Sequence, residues 1–255
     1  MKTKILVLSF LMMTIGQIVQ AKTLIVSDVD DTIKMTDVLG KKIKVVLHGV
    51  FKEEAFAGMS ELYQAMAKKD ATVYYVSGSP KIIRFRVIDF LEDNKFPQAK
   101  NLILKNKTSD DTYKFKVAAI RELINKIHPD KMILIGDDTE HDSEVYDTIS
   151  QENPGVVEGI YIRAVQNKAL NNQNFFSAVE IAGSELLKGS LNVSDLASVT
   201  KGFVEQSHCS GISIKNRYCP ADGRAFIEEL KQKSTDQKAI DLFEKTQAKI
   251  SSSCK

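Results

Sequence analysis

The sequence predicts an α/β protein built on a doubly wound parallel sheet. Short, continuously apolar segments alternate with segments of helical periodicity over the first two-thirds of the chain. Continuous apolarity is typical of strands that are covered on both faces, and repeated β–α alternation is typical of parallel sheets with crossover helices. The chain has 255 residues and is 43% hydrophobic, which allows one sizeable core and argues against a disordered or collagen-like protein.

Five segments are predicted as strands because each is a short run of aliphatic, aromatic or β-branched residues. They are Thr23–Ser27, Thr72–Val76, Leu102–Leu104, Met132–Ile135 and Gly159–Ile162. Between them, apolar residues recur at helical spacing in three segments: Phe56–Met66, Ile83–Leu91 and Val117–Ile127. Further helices are predicted over Asn174–Lys188, Gly223–Lys233 and Ser234–Ile250, and the sequence does not decide where these last helices pack.

The N-terminus has the three parts of a signal peptide. Lys2 and Lys4 precede an apolar run over Ile5–Ile15, and Val19-Gln-Ala21 supplies small residues at a cleavage site. The run is shorter than the roughly 20 residues of a transmembrane helix, and no later segment reaches that length. A buried N-terminal helix is the alternative. We therefore expect removal of residues 1–21 and a periplasmic or secreted mature protein with no transmembrane segment.

Charge and cysteine content narrow the protein class. Without the two leader lysines the chain has 33 basic and 33 acidic residues, so it lacks the basic excess of a nucleic-acid binder. An oxidising compartment allows a disulfide among Cys209, Cys219 and Cys254, but their spacing does not select a pair. Since only His208 lies near them, a four-ligand zinc site is disfavoured.

Carboxylates follow the first and fourth predicted strands. Asp28 and Asp30 come after the first, and Asp137 and Asp142 come after the fourth. Because the carboxyl ends of parallel strands form the ligand-binding edge, these side chains are expected to meet there. Such a cluster needs a cation, and oxygen ligands favour Mg²⁺. The sequence therefore predicts a Mg²⁺ site at this edge.

This arrangement suits phosphoryl chemistry. A carboxylate beside the metal can attack phosphorus to form an aspartyl-phosphate, and a second carboxylate two residues on can transfer the leaving-group proton. After the second strand, the Ser77 hydroxyl and the backbone N–H groups at Ser77-Gly78 can hold phosphate oxygens, together with one lysine.

The ordered elements D-x-D-x-T, Ser, Lys and G-D-x-x-x-x-D resemble those of the haloacid dehalogenase (HAD) phosphatase superfamily, which has a Rossmann-like fold. The resemblance implies that Asp28 is the nucleophile and a metal ligand. It also implies that Asp30 is the general acid/base, with its backbone carbonyl on the metal, and that Ser77 binds phosphate. Asp137 then matches the metal ligand of the acidic element, and Asp142 a supporting ligand.

Two lysines are candidates for the phosphate-binding lysine. Lys114 and Lys116 both lie at the start of the third predicted helix. The spacing from Lys116 to Pro129 and then to Gly136-Asp137 resembles that of the most similar subfamily, so Lys116 is preferred and Lys114 is the alternative.

A narrower resemblance covers Lys22–Ala164. It is carried by the segments Ser27–Lys34, Phe56–Tyr63, Tyr74–Pro80, Gly136–Asp142 through Tyr146, and Ile160–Arg163. The chain resembles the catalytic domain of the yeast actin-patch-type phosphatidate phosphatases and their bacterial relatives. That resemblance implies Mg²⁺-dependent phosphomonoester hydrolysis, with phosphatidate as substrate in the yeast members. At Asp138-Thr139 the chain departs from the commoner Ser-Gly pair.

These observations predict a catalytic domain over residues 22–168 and a helical C-terminal region over 169–255. Lys34–Phe51 has no helical period and is predicted as a flap hairpin in place of a large cap, since only 45 residues separate Thr32 from Gly78. A site without a large lid can admit a substrate held in a membrane surface. The predicted activity is hydrolysis of phosphatidate or a related lipid phosphate, and the alternatives are a phosphatase for small soluble monoesters and a non-catalytic cation-binding protein.

Overall fold

A single six-stranded parallel sheet forms the centre of the molecule, with the strand order β3-β2-β1-β4-β5-β6. The computed structural model describes residues 21–36, 54–166, 173–205 and 224–253. The strands are β1 (Thr23–Ser27), β2 (Thr72–Pro80), β3 (Leu102–Lys105), β4 (Lys131–Asp137), β5 (Val157–Arg163) and β6 (Gln173–Phe175). The predicted parallel α/β sheet is confirmed, and β6 adds a strand that was not predicted.

Helices cover both faces of the sheet. They are α1 (Met59–Ala67), α2 (Arg84–Asp93), α3 (Thr112–Ile127), α4 (Asp142–Glu152), α5 (Ala178–Leu187), α6 (Val193–Glu205), α7 (Arg224–Lys233) and α8 (Gln237–Ser253). Alternate residues of β1 enter two separate cores, because successive strand side chains point to opposite faces. Leu24 and Val26 pack in the core that contains α3 and α4. Ile25 packs in the other core, which contains α1, α2 and the C-terminal helices.

The C-terminal helices complete that second face of the sheet. Ile181 of α5, Leu196 of α6 and Phe243 of α8 belong to the same hydrophobic core as Ile25 and Ile133 of the central strands. Contacts of α6 with both α1 and α8 make this layer continuous. The structure therefore settles the packing that the sequence left open: these helices bury apolar residues on the sheet.

The predicted helix over Asn174–Lys188 is wrong at its beginning. Asn174 and Phe175 belong to β6 and pair with β5, and α5 begins only at Ala178. The Ser177 hydroxyl and the Glu180 carboxylate form a capping box at that point. Capping boxes fix where a helix starts because they satisfy the first backbone N–H groups, so the residues before Ser177 are available to the sheet.

Several predictions concern segments outside the described residues. They are all but the last residue of the signal peptide predicted over residues 1–21, most of the flap predicted over Lys34–Phe51 (residues 37–51), and Cys209, Cys219 and Cys254. Within the part of the chain that the structure describes, no helix is long and apolar enough to cross a membrane.

The chain reverses its direction of travel across the sheet between β1 and β4. From β1 it proceeds outward through β2 to β3, and it then returns to β4 on the opposite side of β1. In open α/β sheets, ligands bind outside the carboxyl ends of the strands at this reversal. Asp28 directly follows β1, and Asp137 is the last residue of β4, so the fold brings the two predicted acidic segments to the expected place.

Candidate active site

A tight turn holds Asp28 at the end of β1. The Asp28 backbone N–H donates to the Ile135 carbonyl of β4 at 2.9 Å, which continues the sheet by one residue. The chain then turns at Asp31, whose φ of 57° is left-handed. Aspartate tolerates this conformation better than most residues, and the Asp31 carboxylate accepts the Thr36 backbone N–H at 3.1 Å. The turn therefore fixes Asp28 against β4 and directs the following residues back over the sheet edge.

Three carboxylates meet at this edge. Asp28, Asp137 and Asp142 each offer an oxygen, and these oxygens all lie within 4.8 Å of one another. All three residues are buried, with exposed fractions of 4%, 3% and 0%. Carboxylate oxygens are the ligands that hard divalent cations prefer. The structure thus brings together three of the four residues that the sequence predicted as metal ligands.

A single buried lysine joins two of these carboxylates. The Lys116 ammonium donates to Asp28 Oδ1 at 2.7 Å and also to Asp142 Oδ1. The Lys114 side chain is exposed on the first turn of α3, and its backbone N–H donates to the Asp111 carboxylate at 2.9 Å. Of the two predicted alternatives, only Lys116 therefore enters the acidic cluster.

Burial and mutual repulsion shift pKa values within the cluster in the direction expected where negative charge is only partly balanced. Burial raises the pKa of Asp28 well above its ordinary value; Lys116 opposes that shift, and Asp142 and Asp137 reinforce it. Burial, followed by repulsion from Asp142, raises the pKa of Asp137 to about 7. Burial alone lowers the pKa of Lys116, but attraction to Asp142 and Asp28 outweighs it, so the pKa rises and the lysine stays charged.

Three carboxylates and one ammonium leave a formal charge of −2 in a buried site. Buried carboxylates that are only partly neutralised are unfavourable unless a cation or protons complete the balance. A divalent cation supplies that balance and matches the oxygen-only donor set. The buried acidic cluster is therefore compatible with the predicted divalent metal.

The Asp30 side chain lies apart from this carboxylate cluster. It accepts hydrogen bonds from the Ser79 hydroxyl at 2.9 Å and the Ser77 hydroxyl at 3.3 Å, both at Oδ2. Its side chain is 25% exposed, whereas that of Asp28 is 5% exposed. The predicted metal contact of Asp30 is through its backbone carbonyl and stays a prediction. Its partly exposed carboxylate is suited to exchanging protons with a substrate or water.

A bulge at the end of β2 produces the contacts of Ser77 and Ser79. Ser77 pairs with Leu104, but the next pairing is Pro80 with Lys105, so the register shifts between them. Bulges re-aim side chains near active sites. Here the Ser77 hydroxyl also accepts the Ser79 backbone N–H at 3.0 Å. The predicted role of Ser77 in binding phosphate stays a prediction. The sequence analysis assigned no role to Ser79, which the Ser-Gly-Ser repeat could have signalled.

Gly78 lies between these serines in a confined space. A Cβ added there would meet Glu140 Oε2 and Thr112 Cγ2, both at 3.1 Å. A glycine therefore lets the β2 bulge approach α3 and the loop after β4 closely. The predicted role of Gly78 in binding a phosphate through its backbone stays a prediction.

Gly136 also contributes to the site, although the sequence analysis assigned it no role. A Cβ at this position would lie 2.6 Å from both Asp142 Cβ and Asp142 Oδ2. The absence of a side chain lets Asp142 reach across β4, where its Oδ2 accepts the Asp137 backbone N–H at 3.2 Å. The glycine immediately before the acidic element was the available signal.

Threonine hydroxyls orient Asp137. Thr32 donates to Asp137 Oδ2 at 2.9 Å, while the Thr139 hydroxyl and backbone N–H both donate to Oδ1, the latter at 2.7 Å. In the pair Asp138-Thr139, where the chain departs from the family pattern, Thr139 therefore orients the predicted metal ligand Asp137. Asp138 is buried, and its Oδ1 accepts the backbone N–H groups of Val165 and Gln166 at 2.9 and 2.7 Å.

A buried arginine, Arg163, donates a hydrogen bond to the turn that follows β1. Arg163 Nε donates to the Thr32 carbonyl at 2.8 Å and Nη1 donates to the Phe176 carbonyl at 3.0 Å. Its guanidinium lies over the rings of Phe56 and Phe175, 3.8 and 4.5 Å from their centroids. Arg163 therefore links the D-x-D-x-T turn to β5 and β6. The sequence signal for this residue was its position in the segment Ile160–Arg163.

Comparison with known proteins identifies the domain. The family model of the phosphatidate phosphatase APP1 catalytic domain matches residues 23–164. The phosphatidate phosphatase APP1 of Saccharomyces cerevisiae is 30% identical over 155 residues, covering 56% of this chain and 26% of that protein. An uncharacterized protein of Schizosaccharomyces pombe is 28% identical over 152 residues, covering 56% of this chain and 25% of its own length.

The chain thus spans about a quarter of the length of the curated relatives it matches. Among solved structures, a class C acid phosphatase from Bacillus anthracis is similar over 54% of this chain and 65% of its own, with 19% identity and a TM-score of 0.36.

Proposed function

The chain belongs to the phosphatidate phosphatase APP1 catalytic-domain family, and on that premise we propose that it hydrolyses a phosphate monoester with the help of Mg²⁺. Family membership confirms the predicted enzyme class, a phosphatidate phosphatase-like phosphomonoester hydrolase, at the level of the domain. The observation that carries the proposal is the buried cluster of Asp28, Asp137, Asp142 and Lys116 at the carboxyl edge of the sheet.

The first step is transfer of the phosphoryl group to Asp28. A carboxylate oxygen of Asp28 forms a bond to phosphorus as the bond from phosphorus to the ester oxygen breaks. Asp30, in its protonated form, gives its proton to the departing oxygen, so that the alcohol leaves neutral. The 2.7 Å contact from Lys116 holds Asp28 Oδ1, and the lysine charge offsets the negative charge that develops.

The second step returns Asp28 to its starting state. Asp30, now a carboxylate, takes a proton from water, and the water oxygen attacks phosphorus as the bond to the Asp28 oxygen breaks. Inorganic phosphate is released and both aspartates are restored. The partial exposure of the Asp30 side chain, against the burial of Asp28, supports this division of roles because only Asp30 needs contact with water.

Asp28, Asp137 and Asp142 would hold the Mg²⁺, together with the backbone carbonyl of Asp30 that the family pattern implies. When bound, Mg²⁺ neutralises the carboxylates and polarises a phosphate oxygen. The residues fit this ion because they offer only oxygen donors and carry a formal charge of −2 with Lys116 included. Ser77 and the backbone at Gly78 would hold the remaining phosphate oxygens.

Phosphatidate or a related lipid phosphate is the proposed substrate class. The support is the family match and the similarity to the yeast phosphatidate phosphatase APP1. We also propose that the protein is exported to the periplasm or secreted, on the evidence of the leader over residues 1–21.

A substrate screen with the chain lacking residues 1–21 tests these proposals. We expect hydrolysis of an aryl phosphate that requires Mg²⁺, and higher kcat/KM for phosphatidate than for nucleotides or sugar phosphates. Asp28→Asn serves as the inactive control. Higher kcat/KM for soluble monoesters would favour the scavenging alternative. Metal binding with no hydrolysis of any ester would favour the non-catalytic alternative.

A further inference from the structure

Two exposed apolar side chains follow closely after the strand that carries Ser77 and Ser79 of the proposed active site. Among the residues that the structure describes, the large hydrophobic side chains that face solvent are Ile82, Phe85 and Leu187, exposed by 82%, 60% and 41%. Ile82 and Phe85 are three residues apart and lie in the 3₁₀ turn and first turn of α2, directly after β2. Neighbouring exposed apolar side chains that are rimmed by polar residues are a feature of interaction surfaces.

In the sequence, basic residues flank these two side chains on both sides. The segment Lys81-Ile-Ile-Arg-Phe-Arg86 carries three cations and no acidic residue. Lys81 and Arg86 are exposed, and the Arg86 guanidinium lies 5.8 Å from the Phe85 ring centroid. We name Lys81, Ile82, Phe85 and Arg86 the basic–apolar patch.

The patch has a rigid base. Arg84 points away from it and donates to the carbonyl of Leu102 in β3 at 2.5 Å and to the carbonyl of Lys100, just before β3, at 3.1 Å. On the same helix, Val87 and Leu91 are buried in the core. Ile82 and Phe85 therefore belong to a segment that these buried contacts and hydrogen bonds hold against the sheet.

The patch also lies close in the sequence to the residues that are proposed to bind phosphate and transfer protons. Ser77 and Ser79 lie in the β2 bulge, and the Ser79 hydroxyl donates to Asp30 at 2.9 Å. Ile82 follows Ser79 by only three residues. A surface that receives Ile82 and Phe85 would thus lie next to the edge of the sheet where Asp28 and Asp30 are placed.

We infer that the basic–apolar patch docks the catalytic domain on an anionic lipid surface, with Ile82 and Phe85 inserted among the lipid chains and Lys81 and Arg86 at the headgroup phosphates. Paired exposed apolar and basic side chains are the features of interfacial binding. Charge complementarity selects this occupant, because the cations match a surface of anionic headgroups. The inference rests on the proposed function and deepens it. The enzyme would take its substrate from a bilayer whose headgroups lie beside the β2 bulge of Ser77 and Ser79.

Vesicle flotation tests the docking separately from catalysis. The probes are vesicles of phosphatidylcholine alone and vesicles that also contain phosphatidylglycerol, a phosphodiester that offers no monoester to hydrolyse. We expect the wild type to bind the anionic vesicles more strongly, and more weakly as salt rises. The double substitution Ile82→Ser with Phe85→Ser should weaken binding by at least about tenfold. Lys81→Gln with Arg86→Gln should remove the preference for phosphatidylglycerol.

Leu187→Ser is the matched control, because Leu187 is an exposed apolar residue at the end of α5, outside the patch. It should leave vesicle binding unchanged. Binding of the Ile82→Ser/Phe85→Ser variant at the wild-type level would overturn the inference, as would equal loss in the Leu187→Ser control. Failure of the wild type to bind either vesicle would also overturn the inference and would favour a protein as the partner of the patch.

Turnover of a soluble aryl phosphate separates this inference from the proposed function. We expect the Ile82→Ser/Phe85→Ser variant to hydrolyse the aryl phosphate at the wild-type rate and vesicle-borne phosphatidate at least about tenfold more slowly. Loss of both activities would place the two residues in the catalytic machinery and contradict a docking role. A wild type that binds anionic vesicles through the patch but hydrolyses no ester would contradict the proposed function alone.

Discussion

The Lys116 ammonium lies 2.7 Å from Asp28 Oδ1 and also donates to Asp142, so one buried cation joins the residue after β1 to the first residue of α4. A buried ion pair that loses one partner leaves an uncompensated charge. The position of Lys116 therefore affects both the orientation of the proposed nucleophile and the stability of the site.

Replacement of Lys116 by methionine should lower kcat by about 100- to 1000-fold, because the charge that balances the transferred phosphoryl group is removed. Lys114→Met is the matched control and should remain within about twofold, since surface substitutions away from a site change little. Steady-state turnover of an aryl phosphate measures both. Equal losses in the two variants would contradict the assignment of Lys116.

Addition of Mg²⁺ should raise the thermal stability of the protein. The carboxylates of Asp28, Asp137 and Asp142 lie together in the folded state, so the ion binds the folded chain in preference to the unfolded one. At about 100 times the Kd the gain in the free energy of unfolding is about 2.7 kcal/mol, and a chelator should abolish it. Asp142→Asn should weaken Mg²⁺ binding at least about tenfold.

Glu144→Gln is the control for that substitution, because Glu144 lies exposed in the same first turn of α4. Its Mg²⁺ affinity, measured by calorimetry, should equal that of the wild type. If the Asp142→Asn protein bound Mg²⁺ with unchanged affinity, the cation site would have to lie elsewhere.

Substitution of Gly136 by alanine should disrupt the metal site. The new methyl group would lie 2.6 Å from Asp142 Cβ, and relief of such a contact costs on the order of 1–3 kcal/mol. We expect weaker Mg²⁺ binding together with lower turnover. Gly189→Ala separates this effect from a general loss of stability. Gly189 has a φ of 77° with open space around it, so alanine there should cost roughly 1 kcal/mol of stability and leave Mg²⁺ affinity intact.

Glu180 should make stability depend on pH. Burial raises its pKa from an ordinary value of 4.5 to about 7, against the opposing hydrogen bonds from Ser177 and Phe176 and the charge of Arg163. The folded state thus binds the Glu180 proton more tightly than the unfolded state. Its contribution is fully present below pH 4.5 and is lost as pH rises through about 7, a change on the order of 3 kcal/mol.

Glu180→Gln tests this directly, since glutamine keeps a side-chain oxygen for the capping box but does not titrate. Urea unfolding of both proteins at saturating Mg²⁺, from pH 5 to pH 8, gives the difference in free energy. We expect the wild type to lose stability relative to the variant as pH rises. A difference that stays constant with pH would contradict the raised pKa.

The sequence was sufficient to predict the acidic edge because the relevant information is local. Asp28 directly follows a continuous apolar run, and Asp137 ends another, so a parallel sheet alone brings them to one edge. Lys116 was preferred from its spacing, and the structure places it in the cluster while Lys114 is exposed.

Other features depend on contacts between distant segments. The contact of Ser79 with Asp30 requires the bulge of β2, and the requirement for Gly136 follows from the path of Asp142 across β4. The β6 strand of Gln173–Phe175 is too short to show a period, and it becomes a strand because β5 offers it an edge. The Ser-Gly-Ser repeat and the glycine before Asp137 mark the first two positions in the sequence, but the contacts themselves form between distant segments and do not follow from a local pattern.

Trapping of the phosphoenzyme tests the central claim most directly. Protein mixed with substrate and Mg²⁺ is quenched in acid, digested and analysed for phosphoaspartate by mass spectrometry. The account predicts phosphate on Asp28, formed during turnover and absent from the Asp28→Asn protein, which should also be inactive. Full turnover in the Asp28→Asn protein, or phosphate carried by another residue, would contradict it.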